Sequence, residues 1–202
     1  MHPKMNLPLN CDLDYIESFL TKEESQKLYD LLVGEYDLPQ YKTRMEVNGV
    51  VHESDYGKIM FLDQEIYDRN EFPEAIWGKT QVWAEELLKV KERIEAMTGR
   101  AYGVGVCIYY PDGNSGVDFH SDPSLYGDTR VIPSLSLGEE RAFYLREKES
   151  LEQFEVFLQN GSLLIMGEHC QERYEHCLPI NPEYKQGRIN ITFRQFGFAK
   201  AD

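Results

Sequence analysis

The stretch Arg188-Ile189-Asn190-Ile191-Thr192-Phe193-Arg194 decides how this chain is read. As a β-strand it carries Ile189, Ile191 and Phe193 on one face and Arg188, Asn190, Thr192 and Arg194 on the other, because successive side chains of a strand point to opposite sides. Taken alone, the polar face is the wet side of an antiparallel sheet. Two guanidiniums, an amide and a hydroxyl are also the groups that hold a dicarboxylate, which arginine takes in bidentate fashion. The neighbouring motifs decide between the two.

Upstream, Asp118-Phe119-His120-Ser121-Asp122 sets an imidazole and a carboxylate two positions apart, on the same side of an extended chain. A His-x-Asp pair is weak evidence of a metal site by itself. The third ligand comes from His169, in the polar run Gly167-Glu168-His169-Cys170-Gln171, or from His176, whose apolar neighbours in Tyr174-Glu175-His176-Cys177-Leu178-Pro179 suggest a strand entering the core. We take His176, which stands 12 residues before Arg188. Two histidines and a carboxylate on one face of an octahedral ion leave positions open for a co-substrate and dioxygen, as in non-haem iron oxygenases. Zinc accepts the same ligands. An arginine face following such a triad has a use that an isolated strand would lack.

Working outward, the chain divides into a helical half and a strand-rich half. Thr21-Lys22-Glu23-Glu24 is a capping-box pattern, which predicts a helix over residues 22–33. Asn48-Gly49 predicts a hairpin within residues 39–63. Ile76, Trp83, Leu87, Val90, Ile94 and Met97 recur in threes and fours up to Gly99, predicting one long amphipathic helix over residues 73–97. Beyond it, short strands are expected at 102–110, 131–137, 141–146, 154–158, 162–166 and 188–196. This order is that of an α+β domain, helices bracing one face of a curved antiparallel sheet or barrel.

The composition limits the rest. With 202 residues and 42% apolar side chains, the sequence suits one domain spanning 1–202. No apolar run is long enough to span a bilayer and residues 1–10 carry no signal core, so a soluble, cytoplasmic protein without membrane contact is expected. Cys11, Cys107, Cys170 and Cys177 are too scattered for a disulfide framework and are expected as free thiols. The net charge of -14 counts against a phosphate-led nucleic-acid binder, and Lys89, Lys91 and Arg93 are expected as a solvated helix face. Nothing in the sequence fixes an oligomeric state.

Six ordered motifs together resemble the AlkB family of iron(II)/2-oxoglutarate dioxygenases over Tyr102 to Phe196, about half the chain. They are Tyr110-Pro111-Asp112-Gly113, His120-Ser121-Asp122, residues 133–138 with Arg141-Ala142-Phe143, Gly161-Ser162-Leu163-Leu164, the run from Gln171 to Pro179, and Arg188 to Arg194. The resemblance implies a double-stranded β-helix, or jelly roll, in residues 101–198, with residues 1–100 as helical support and substrate lid. It implies iron(II) on His120, Asp122 and His176, and 2-oxoglutarate on Tyr110, Arg188, Asn190 and Arg194. It also implies a reaction in which O2 and 2-oxoglutarate yield succinate and carbon dioxide while a substrate C–H bond is hydroxylated; a hydroxylated N-methyl group then leaves as formaldehyde.

Ile108 stands where the family usually has an asparagine, Ser124 where repair members carry an acid, and Asp55-Tyr56-Gly57-Lys58 matches their lid pattern only in part. Gly161-Ser162 reads equally as a brace beside the site and as a plain hairpin turn. Arg141 and Tyr126 are the substrate-side candidates, with Tyr56, Met60 and Phe61 as a lid, although Met60 and Phe61 read more readily as core. The expected substrate is a methylated nucleobase in single-stranded nucleic acid or a nucleoside. The alternatives are a protein side chain, a small metabolite, a non-catalytic binding module of the same fold, or a zinc hydrolase on the same triad.

Overall fold

The computed structural model describes residues 8–47 and 49–197. Its elements are β1 (Leu13–Ile16), α1 (Lys22–Asp30), β2 (Lys42–Val47), β3 (Val50–Leu62), α2 (Gln64–Asp68), α3 (Glu74–Trp77), β4 (Lys79–Val82) and α4 (Glu85–Thr98), followed by β5 (Val104–Tyr110), β6 (Val117–His120), β7 (Ile132–Gly138), β8 (Arg141–Glu147), β9 (Gln153–Leu158), β10 (Leu163–Met166), α5 (Cys170–Arg173), β11 (Tyr174–Leu178) and β12 (Arg188–Arg194). A major sheet runs β1-β10-β7-β12-β5-β3-β2, with β4 on the edge of β3, and a minor sheet runs β6-β11-β8-β9. The result is an α+β jelly roll with helices on its outer side.

The parity of β12 explains this layering. Ile189, Ile191 and Phe193 are fully buried in a core shared with Leu28 of α1 and Leu87, Val90 and Ile94 of α4. A second core, containing Ile132, Leu164 and Met166 from the major sheet and Phe143, Leu145 and Val156 from the minor one, holds the two sheets together. The polar face of β12 is therefore turned toward the minor sheet. It is not an outer surface, because Arg188 is 1% exposed and Arg194 6%.

The first hundred residues are less helical than the sequence led us to expect. Thr21 and Glu24 do form the reciprocal capping box, but α1 gives way to a π-helical turn at Leu31–Glu35. The long helix expected over 73–97 is split into α3, β4 and α4. Gly78, at φ 81°, ends α3, and β4 then pairs in parallel with β3. Ile76 and Met97, which completed the apolar rhythm, are exposed. β2 and β3 form the expected antiparallel hairpin; Asn48, half of the turn that predicted it, lies outside the described residues. Lys91 is not on a solvated face: it is buried, paired with Asp63 and Glu95 at 3.1 and 3.2 Å. The four cysteines are free, with the Cys11 and Cys170 sulfurs 2.6 Å apart.

Candidate active site

β6 and β11 are antiparallel neighbours with His120 directly opposite His176, so one cross-strand pair brings the two imidazoles together at a ring separation of 4.4 Å. Asp122 follows just beyond the end of β6. Its backbone N–H donates to the Gln171 side chain at 2.8 Å, and Ser121 Oγ donates to the Tyr174 carbonyl at 3.0 Å, tying the segment to α5 and β11. Asp122 Oδ1 then stands 3.9 Å from His120 Nε2, and Oδ2 stands 3.8 Å from His176 Nε2. One ligand atom from each of the three lies within 4.8 Å of the others.

This donor set suits a divalent ion. His120 Nδ1 lies 2.8 Å from the Asp118 carbonyl, a contact that holds the proton on Nδ1 and leaves the Nε2 lone pair free. Burial pushes the His176 imidazole down to about 4, so it offers a neutral nitrogen. Burial alone would raise the Asp122 carboxyl, but Arg194 and then His176 outweigh it and hold the group below its ordinary value. Asp122 Oδ2 is buried without a hydrogen-bond partner. A carboxylate oxygen left bare between two lone pairs is costly unless a cation satisfies all three.

Above this triad lies a cavity of about 230 Å³, lined on one side by the polar face of β12 and by Tyr110, and on the other by Phe143, Leu158 and Leu178. Register places Arg188 opposite Tyr110 and Asn190 opposite Ile108. Arg188 donates to Ser136 Oγ at 2.9 Å, and among the described residues no carboxylate pairs with it. Burial pulls its guanidinium down to about 10 and pushes the Tyr110 hydroxyl up to about 12, so the first stays a cation and the second a donor at neutral pH. Arg194 reaches Asp122 Oδ1 at 2.6 Å. Asn190 Nδ2 donates to Ser134 Oγ at 2.7 Å, which orients the amide. Ile108 does line the cavity, leaving an apolar strip between Asn190 and Lys58 of β3.

Residues 12–194 match the description of the 2OG-Fe(II) oxygenase superfamily. The chain belongs to that family. Its relatives make it AlkB-like: alpha-ketoglutarate-dependent dioxygenase alkB homolog 3 of Rattus norvegicus is 37% identical over 123 residues, 55% of this chain and 41% of that protein. DNA oxidative demethylase ALKBH2 of Bos taurus is 30% identical over 122 residues, 56% of this chain and 44% of that one. The matched region thus spans about half the length of these curated relatives or less. The solved structure of OsALKBH1 has a TM-score of 0.61 at 15% identity, covering 94% of this chain and 100% of that one, a likeness of fold alone.

In this oxygenase fold, the side chains named from sequence divide sharply by position. His120, Asp122, His176, Tyr110, Arg188, Asn190, Arg194, Tyr126 and Tyr56 all line the one cavity. Arg141 does not. Its guanidinium is fully buried and donates to the carbonyls of Ser115 and Gln186 and to Glu139, over the Tyr184 ring, so it is spent on tying loops together and has no substrate-facing group. His169 is exposed and paired with Glu172 at 3.0 Å. Met60 and Phe61 are core. Gly161, at φ 79°, is a turn whose carbonyl accepts from Leu20 N–H at 2.9 Å, so it docks the chain preceding α1. The residue missed was Lys58, whose alternation with Tyr56 on β3 would have put both on the same inward face.

Proposed function

We propose that this chain is an iron(II)- and 2-oxoglutarate-dependent dioxygenase of AlkB type that oxidatively demethylates or hydroxylates a methylated nucleobase. The observation that carries this reading is Arg188: a fully buried guanidinium, without a carboxylate partner among the described residues, on the same cavity as a His-Asp-His triad with a bare carboxylate oxygen. A dicarboxylate that chelates a metal at one end and needs a cation at the other supplies what both lack.

On this reading His120 Nε2, Asp122 and His176 Nε2 hold iron(II), which with bound 2-oxoglutarate and O2 supplies the oxidising power to hydroxylate a C–H bond. Arg188 and the Tyr110 hydroxyl take one carboxylate of the co-substrate. Asn190 and Arg194 flank it, Arg194 also holding Asp122 in its ligating rotamer. Phe143, stacked on His176 at 5.5 Å, keeps water from the ligand's inner side. A cavity of about 230 Å³ is below the roughly 300 to 1,000 Å³ of sites that swallow a whole drug-sized ligand. It suits the co-substrate plus one substrate group entering at the mouth, between Tyr56 and Tyr126.

A net charge of -14 supports single-stranded nucleic acid or a nucleoside over duplex, since duplex binders draw their affinity from neutralised phosphates and an unpaired base needs no extrusion. Four free thiols support a reducing, cytoplasmic setting. Among the described residues no helix is long and apolar enough to cross a membrane. The test is anaerobic addition of iron(II) and 2-oxoglutarate, read by the visible charge-transfer band of the chelate, then formaldehyde release from N-methylated single-stranded, duplex and nucleoside substrates. A band that needs both components, with release from the single strand or nucleoside, is the expected result. A band without release from any of the three moves the substrate to a protein side chain or metabolite.

A further inference from the structure

The charge of this cavity is opposite to that of the protein. On a chain of net charge -14, the charged side chains lining it are Lys58, Arg188 and Arg194 against a single carboxylate, Asp122, which Arg194 already engages. Asp122 accounts for Arg194, and the carboxylate that the co-substrate turns away from the metal accounts for Arg188. Lys58 is left over.

Its position is on the substrate side. Lys58 lies opposite Ile108 in the β3–β5 pairing, on the inward face that also carries Tyr56. It is half-buried, and among the described residues no carboxylate pairs with it. Burial draws its ammonium below the ordinary value with no opposing charge to offset that effect. Its Nζ stands 6.0 Å from the centre of the Trp77 ring, and Trp77 packs on Tyr126 at 5.6 Å. The Tyr126 ring in turn faces the Arg194 guanidinium at 5.7 Å. Tyr126, which lines the cavity, thus already has the Arg194 cation against it, and Trp77, which packs on Tyr126 without lining the cavity, faces Lys58.

We propose that Lys58 is a specificity-determining residue of this site, and that the group it admits is an uncharged or anionic ring, not a cationic one. The inference rests on the nucleobase reading and narrows it to one charge class of substrate. A fixed positive charge entering between Lys58 and the Arg194–Tyr126 pair meets unscreened repulsion in a partly desolvated site and finds no carboxylate to offset it. An uncharged ring stacks on tyrosine without that penalty and offers carbonyl oxygens that Lys58 donates to.

The test compares two single-stranded oligonucleotides of identical sequence context, one carrying N3-methylthymine, uncharged at neutral pH, and one carrying N1-methyladenine, a cation. The full chain is loaded with iron(II) and 2-oxoglutarate and formaldehyde is measured. The parent is expected to favour the uncharged base at least tenfold in kcat/KM. Lys58→Met should shrink that ratio at least tenfold by raising turnover of the cation, and Lys58→Arg should restore it. Preference of the parent for the cationic base, or an unchanged ratio in Lys58→Met, overturns the proposal while leaving the demethylase reading intact. A 2-oxoglutarate requirement that rises in Lys58→Met equally for both oligonucleotides assigns Lys58 to the co-substrate and also overturns it. Release from neither base, with the chelate band present, brings down the nucleobase reading and this inference together.

Discussion

Arg188 and Arg141 lie on facing sheets and are equally hidden from solvent, 1% and 0% exposed, yet their surroundings differ in kind. Arg141 has two loop carbonyls and the Glu139 carboxylate around one guanidinium. Arg188 has a serine hydroxyl and, among the described residues, no carboxylate or carbonyl; the Nε of both arginines lacks a partner, so the difference lies at the outer nitrogens. A buried cation whose acceptors belong to the fold is part of the frame; one whose acceptors are missing is built for something that arrives. The same contrast separates His176, buried beside a bare carboxylate oxygen, from His169, exposed and already paired.

The largest effect expected from pressing this contrast comes from the triad. His176→Ala or Asp122→Ala should reduce iron-dependent succinate formation to background while the circular dichroism spectrum stays that of the parent. Turnover surviving in either variant would move the metal elsewhere. Next come the two arginines. Arg188→Met should raise the apparent 2-oxoglutarate requirement roughly 10- to 100-fold, the loss of a charge-assisted contact worth about 1.5 to 3 kcal/mol. The ligand-free protein should melt no lower than the parent, because a lone buried cation is replaced by an apolar side chain of similar length. Arg141→Met should do the reverse, costing about 3 kcal/mol of stability through stranded acceptors and leaving the co-substrate requirement of the folded fraction unchanged. Equal melting shifts in the two variants would erase the distinction.

A third test uses pH on the metal-free protein. In the unfolded chain the His176 imidazole takes up a proton near 6.5; in the fold it resists until about 4. Its depressed folded value therefore contributes stability that is fully present above 6.5 and is lost as pH falls toward 4, at most about 3 kcal/mol in all. Asp122, also held below its ordinary value, contributes in the same direction at lower pH still. Urea melts at stepped pH should show this loss, and His176→Gln should flatten it between 6.5 and 4. The smallest effect belongs to His169→Ala, within about 0.5 kcal/mol of the parent and without change in iron affinity by titration.

What the sequence made legible was what alternates. The two faces of β12 followed from parity alone, and the apolar company His176 keeps marked it as lying on a strand that enters the core; its place opposite His120 came only from the register. What it concealed was whether a polar side chain had already found its partner. Arg141 looked available because Ser115 and Gln186 are far from it in sequence, and Lys91 looked solvated because Asp63 is far from it. The split of the expected 73–97 helix was hidden for a different reason: Ile76 and Met97 fell on the apolar rhythm by chance, and the parallel partner of β4 lies on a strand sequence spacing does not reveal. Lys58 was passed over because a lysine in a strand is usually an edge residue, although its alternation with Tyr56 set the two on one face.

The place of β12 in the major sheet bears on how the protein is made. β5 can pair with β3, and β10 with β7 and β1, as soon as each has been synthesised, which leaves two separate half-sheets. The strand that joins them, between β5 and β7, runs to Arg194 and is the last of the described strands. Since long-range pairing must wait for both partners, a nascent chain made only as far as β11 has the three triad residues and Tyr110 but lacks Arg188, Asn190 and the Arg194 that holds Asp122.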